Sequence, residues 1–141
     1  MHTAIVPESR RMTFLPKHFG KAMMRVESRV YVYAEQALED YSGGYWDFIE
    51  AEGDAGYMRP NVLKSNDKML DPSKHRWRCT DFCNWGGELS LDAIGLLLTT
   101  LAVNHEWHRD PENDTLGEQW QKLMEVVYAH PERDSLMSAL D

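Results

Sequence analysis

The chain has 141 residues, 43% apolar and 27% charged, with a formal net charge of −8, which describes one globular domain able to bury about two thirds of its unfolded surface. That acidity excludes a general nucleic-acid binder, which needs a cationic excess to displace counterions, and 15 Lys and Arg beside 23 Asp and Glu argue against a close imitation of DNA. No apolar run reaches a bilayer span and the first eleven residues lack the apolar block of a signal peptide, so a cytoplasmic protein without membrane contact is expected.

Residues 1–12 carry no period and include Pro7, and read as a flexible or loosely docked arm. Leu15-Pro16-Lys17-His18-Phe19-Gly20 predicts a short helical turn, with Pro16 at its first position and Gly20 ending it. Over residues 22–41, Met23, Val26, Val30, Ala34, Ala37, Leu38 and Tyr41 form one helical stripe, while Glu27, Glu35 and Glu39 lie off it. The strand-like Val30-Tyr31-Val32-Tyr33 allows a break, but the long period favours a continuous helix.

The periodicity changes at Tyr41-Ser42-Gly43-Gly44-Tyr45-Trp46-Asp47-Phe48. Two adjacent glycines accept backbone angles closed to other residues, so this block is read as the hinge between a helical layer and a sheet. Residues 45–51 alternate, with Trp46 and Phe48 on one face and Asp47 on the other. After the turn-rich Glu52-Gly53-Asp54-Ala55-Gly56, Tyr57-Met58-Arg59 completes a hairpin before Pro60. Residues 60–73 read as a surface loop and 75–83 as a third strand, with Trp77 and Cys79 on one face. Four residues of strand separate Cys79 and Cys83 by roughly 13 Å, too far to bridge, so both are expected as free thiols. Asn84-Trp85-Gly86-Gly87 is a second aromatic-glycine turn, leading to a short fourth strand at Glu88-Leu89.

Ser90 is placed to cap a helix with Asp92 in its first turn. From Leu91 to about Trp107 this helix is apolar almost all round, which requires cover on most sides and makes it the buried centre. Residues 109–114 form a polar loop. Thr115-Leu116-Gly117-Glu118 has the form of a capping box, opening a helix to about His130 with Trp120, Leu123, Met124, Val127 and Tyr128 inward. Pro131 ends it, and residues 132–140 form a last short helix. The expected fold class is α+β: a small antiparallel sheet of three to four strands packed with four to five helices around a buried central helix, in a single compact domain over residues 1–141.

Chemistry is sparsely signalled. His105-Glu106-Trp107-His108 is one residue short of the zinc-protease spacing; with Asp110 or Glu112 as a third ligand it stands as a minor metal-hydrolase alternative to ordinary surface residues at a helix end. Ser42 has no base placed by sequence, and neither glycine pair matches a phosphate loop. Lys64, Lys68, Lys74, Arg76 and Arg78 gather around Trp77, but Asp67 and Asp71 dilute them, and a solvated loop is the favoured reading. No catalytic residue, metal ligand or cofactor is assigned.

The sequence resembles the ArdB/KlcA family of antirestriction proteins. The likeness rests on Leu15-Pro16-Lys17-His18-Phe19-Gly20, on the Tyr41–Phe48 block, on Gly56-Tyr57-Met58-Arg59-Pro60, and on Glu88-Leu89-Ser90-Leu91-Asp92-Ala93-Ile94-Gly95. It implies a mixed α/β fold peculiar to the family and a non-enzymatic cytoplasmic protein of plasmids or other mobile DNA. Such a protein shields incoming DNA in a bacterial host from type I restriction enzymes. The partner expected from it is the type I restriction-modification complex or a host factor controlling it, met by a monomer without strong direct DNA binding. The candidate contact residues are Tyr41, Ser42, Gly43, Gly44, Tyr45, Trp46, Trp85, Gly86 and Gly87, since exposed aromatics are favoured interface anchors. The rival is electrostatic mimicry by Glu106, Asp110, Glu112, Asp114 and Glu118, acting directly on the restriction enzyme.

Overall fold

The computed structural model describes residues 1–39, 41, 43–61, 72–73, 76–82 and 85–141. In chain order these form β1 (Thr3–Ile5), α1 (Arg11–Phe19), α2 (Met23–Ala37), β2 (Tyr45–Ala51), β3 (Ala55–Asn61), β4 (Arg76–Phe82), β5 (Trp85–Ser90), α3 (Leu91–Arg109), α4 (Asp114–Ala129) and α5 (Arg133–Leu140), with single 3-10 turns at Glu8–Arg10 and Gly20–Ala22. The α+β class and the small antiparallel sheet packed with helices are as the patterning predicts. The strands, however, divide into a three-stranded sheet ordered β1-β2-β3 and a separate β4-β5 ribbon.

The helix α3 is the centre. Ser90 caps it, its hydroxyl accepting from the Ala93 amide at 3.1 Å, and its side chains from Leu91 to Val103 are buried almost without interruption. It lies against β3 on one side and against α2 and α4 on others. The approach to β3 is close because position 95 is glycine: a Cβ there would sit 2.2 Å from the Met58 carbonyl oxygen and 2.7 Å from the Arg59 Cα. One turn further along, the Thr99 hydroxyl accepts the Met58 amide at 3.0 Å, so helix and strand are joined by a hydrogen bond as well as by packing. The long-period helix holds without a break over Met23–Ala37 and buries Val26, Val30, Ala34 and Ala37.

Several expectations need correction. The segment read as a loosely docked arm supplies β1, which pairs antiparallel with β2 through Thr3↔Ala51 to Ile5↔Ile49. Its side chains are all exposed, so backbone pairing rather than apolar patterning places it, and no period could announce it. α1 begins at Arg11, with Pro16 inside the helix rather than at its start, although Gly20 (φ 57°) does end it. β2 is buried on both faces, because Asp47 turns inward beside Arg59 instead of facing water. Pro60 does not stop β3, which runs on to Asn61 opposite Tyr45. β3 is the outer strand of its sheet, where a missing amide costs no ladder bond. Trp85, Gly86 and Gly87 lie in β5 rather than in a turn before it. The cap of α4 is Asn113, which accepts from the Leu116 amide at 3.2 Å, not Thr115. Tyr128, expected inward, is 48% exposed. The loop over residues 62–71 and Cys83 lie outside the described residues; Cys79 is a buried free thiol, which burial pushes up to about 11.

Candidate interaction surface

The hinge block does what its glycines predict. The last turn of α2 gives way at Leu38, whose backbone bridges to Cys79 of β4. Gly43 (φ 93°) and Gly44 (φ 135°) then turn the chain into β2. No atom lies within 4 Å of a Cβ built at either glycine, so it is the positive φ and not crowding that requires them. The segment thus carries the chain from the β4-β5 ribbon to the three-stranded sheet.

The aromatics around it separate into floor and surface. Trp46 is 3% exposed, a correction to its place among the surface candidates, and its indole N–H donates to the Tyr41 hydroxyl at 3.1 Å. Tyr31 of α2 meets its ring edge-on with centroids 5.8 Å apart. Burial, reinforced by the Glu27 carboxylate, pushes the Tyr31 hydroxyl up to about 12. Tyr45 is 49% exposed. The Arg11 guanidinium lies 4.7 Å from the Tyr45 centroid and 4.2 Å from that of Phe48, and donates to the Trp46 carbonyl at 3.1 Å. Phe14 in turn stacks on Phe48 with centroids 4.4 Å apart. Tyr45 is therefore an exposed aromatic on a rigid support. Ser42 lies outside the described residues.

The second aromatic-glycine segment is built differently. Trp85 packs partly buried against the core, and a Cβ at Gly87 would meet its indole at 3.2 Å. Gly86 is exposed. Gly87 pairs with Cys79, the residue that Leu38 bridges, so the two segments attach to opposite edges of β4 at the same residue.

The other candidates are dispersed. His105 and His108 are exposed on α3, and the His108 Nδ1–H donates to the Asn104 carbonyl at 2.8 Å. Among the described residues no group of three His, Cys, Asp or Glu side chains is placed to hold a metal. Glu106 cannot belong to an acidic surface: it is 1% exposed and accepts from Arg25 Nε at 3.1 Å and Arg29 at 3.3 Å. Asp110, Glu112, Asp114 and Glu118 remain at least partly exposed. Arg76 and Arg78 are exposed but paired, with Glu132 and Glu39.

Two polar clusters that no motif announced hold the elements together. Asp92 accepts from the Tyr57 hydroxyl at 2.8 Å, from Arg59 at 3.0 Å and from His130 Nε2 at 2.9 Å. Burial raises the affinity of this carboxylate for a proton, and these three donors outweigh it, leaving Asp92 below its ordinary value. His130 Nδ1 accepts the Glu132 amide at 3.0 Å, which places the imidazole proton on Nε2. Ser90 Oγ bonds Glu132. Both ring nitrogens and the hydroxyl are thus engaged in joining β5, α3 and the end of α4. In the second cluster, the Gly56 amide donates to Gln119 Oε1 at 2.8 Å, so the Gln119 amino group faces His18 Nδ1 at 3.4 Å. His18 Nε2–H then donates to Glu50 at 2.7 Å. His18 is 1% exposed, and burial, opposed by Glu50, pulls it below its ordinary value. Hydrogen bonds from Lys17 and His18 hold Glu50 low.

Sequence reasoning missed Arg11 and Tyr31 as parts of the aromatic surface. Arg11 lies in the stretch without a period, and Tyr31 stands in the sequence only as a strand former within a helix. The offset of Tyr31 from the buried stripe is a usable signal for exposure, but not for meeting Trp46, and Arg11 carries no such signal.

The fold is that of a small α+β protein with two polar clusters that join its elements and a half-exposed tyrosine, Tyr45, after its glycine turn. Residues 39–141 match the family model for antirestriction proteins. The chain is 30% identical to a putative antirestriction protein, YubI of Escherichia coli K12, over 99% of this chain and 95% of that one. Antirestriction protein KlcA of Escherichia coli is 29% identical, with 98% and 93% covered. A solved structure from work on the KlcA and ArdB proteins matches with a TM-score of 0.78 at 27% identity, covering 99% of this chain and 94% of that one. Those proteins are described as having a novel fold and antirestriction activity against Type I DNA restriction systems in vivo but not in vitro. The chain belongs to the antirestriction protein family, and its fold is that of the ArdB/KlcA proteins.

Proposed function

We propose that this protein relieves type I restriction of incoming plasmid or phage DNA in a bacterial host by binding another protein, with no catalytic step and no cofactor. The contact surface is centred on Tyr45 and Tyr31 beside the Tyr41–Gly44 segment, with Trp85, Gly86 and Gly87 as its second patch. The observation that carries the reading is Tyr45: a half-exposed aromatic at the end of a glycine turn, with the Arg11 guanidinium over its ring and the buried Trp46 next to it in β2. Large aromatics already immobilised in this way lose little side-chain freedom on binding. Activity in vivo but not in vitro, as described for KlcA and ArdB, supports a partner that includes a host factor controlling the restriction complex. The protein acts as a cytoplasmic monomer without strong DNA contact.

The test is plating of unmodified phage on restricting cells that make the parent, Tyr45→Ala, Tyr31→Ala or Trp85→Ala protein. Protection falls in the Tyr45 and Tyr31 variants while their melts stay cooperative. Full protection by all three folded variants removes this surface from the function. A second reading, direct occlusion of the enzyme by Asp110, Glu112, Asp114 and Glu118, draws on the exposure of acidic residues around the start of α4. It requires a salt-sensitive complex with purified restriction enzyme, and absence of that complex at low salt excludes it.

A further inference from the structure

The chain is acidic overall, yet one groove on it is cationic. Between α2 and the last turn of α3 lies a groove of about 330 Å³ whose walls are Met24, Arg25, Ser28, Arg29, Val32 and Arg109, with Glu106 among its lining. Arg25, Ser28, Arg29 and Val32 stand at i, i+3, i+4 and i+7, a single stripe along α2. Arg109 projects from the C-terminal end of α3. Three guanidinium groups therefore share the groove with one carboxylate, and that carboxylate is engaged by two of them.

We infer that this groove docks an acidic protein segment, one that presents carboxylates about a helical turn apart with apolar side chains next to them. Arg25 bonds Glu106 through Nε and Arg29 through one terminal amino group, so both guanidiniums keep donors for a partner's carboxylates. The side chain of Arg109 is exposed and makes no hydrogen bond or ion pair among the described residues. The buried Glu106 fixes the two α2 arginines before any partner arrives, which lowers the ordering cost of binding. Flanking the two α2 arginines, Met24 is 62% and Val32 43% exposed. A peptide side chain covers such apolar atoms, whereas a sugar-phosphate backbone offers them nothing. The net charge of −8 also repels a long polyanion, while a short acidic segment senses mainly the local field within a Debye length of about 8 Å.

This surface is independent of the one around Tyr45, and the experiment separates them. Fluorescence anisotropy is measured for the full chain with a short labelled peptide alternating glutamate and leucine, with its glutamine counterpart, and with labelled duplex DNA. The glutamate peptide binds at low salt and weakens as salt rises. Arg109→Glu and Val32→Asp, both exposed positions whose variants melt like the parent, each weaken it by about tenfold or more. Tyr45→Ala leaves the binding unchanged. Absence of binding at low salt, equal binding of the glutamine peptide, or equal binding by the two groove variants overturns the inference. Preferential, Arg109-dependent binding of DNA overturns it as well and reassigns the groove to phosphate.

Discussion

Replacing Gly95 by alanine sets two effects of opposite sign against each other. In an exposed helix the change gains about 1 kcal/mol, because alanine is the better helix former. In this protein the new methyl carbon would lie 2.2 Å from the Met58 carbonyl oxygen, against the 3.4 Å at which ordinary contact begins. Helix and strand would have to part by 1.2 Å, the difference between those two distances, to restore ordinary contact. The obstruction is backbone on both sides, so no rotamer change relieves it, and the Thr99–Met58 bond one turn away stretches with it. Overpacking of this kind costs about 1–3 kcal/mol or more, and the lost hydrogen bond about another 1. The expected net loss is roughly 2 kcal/mol, or about 6–10 °C in melting temperature for a chain of this length. Urea and thermal melts followed by circular dichroism measure it directly. A Gly95→Ala protein as stable as the parent, or more stable, would refute the close packing of α3 on β3.

Other perturbations test separate parts of the structure. Leu97→Asp puts a carboxylate at a position 2% exposed on the central helix and should abolish soluble folding; a parent-like cooperative melt would contradict its burial. Stability should fall in two stages on acidification. His18 lies below its ordinary 6.5, so the unfolded chain takes up its proton first and stability drops as pH falls below that value. Glu50 and Asp92 lie below 4.5 and 3.8 and add the second stage beneath those values. His18→Gln should flatten the first stage only, as read from urea midpoints between neutral and mildly acidic pH. At the α2–α3 contact the response should be asymmetric: Glu106→Gln leaves two arginines free to reach water and costs about 1 kcal/mol, whereas the Arg25→Ala, Arg29→Ala pair strands a buried carboxylate and costs about 3. Equal costs would mean that Glu106 is not buried as described.

Periodicity made the helices legible, most of all α3, whose lack of any polar face required it to be central. The hinge was readable for a local reason, since only paired glycines supply successive positive φ angles there. What escaped were features set by partners distant in sequence. β1 is held by backbone bonds to β2 and has no buried side of its own. Asp47 alternates with Trp46 and Phe48 as if for water, yet Arg59 across the hairpin draws it inward. Glu106 looked like part of an acidic surface because Arg25 and Arg29 lie some 80 residues away. At the candidate surface, the sequence identified aromatic residues but could not sort buried Trp46 from exposed Tyr45, since both faces of β2 are covered and only its first residue escapes burial.

The seating of α2 along α3 bears on how this molecule can be shortened. The span recognised as characteristic of the family starts at residue 39, whereas Val26, Val30 and Ala34, and the arginines that neutralise Glu106, all precede it. A fragment trimmed to the recognisable span would leave one flank of its innermost helix bare and a carboxylate without its counterions. Such a fragment would self-associate or be degraded, and its failure in cells would report the lost wrapping, not an activity residing in the missing quarter.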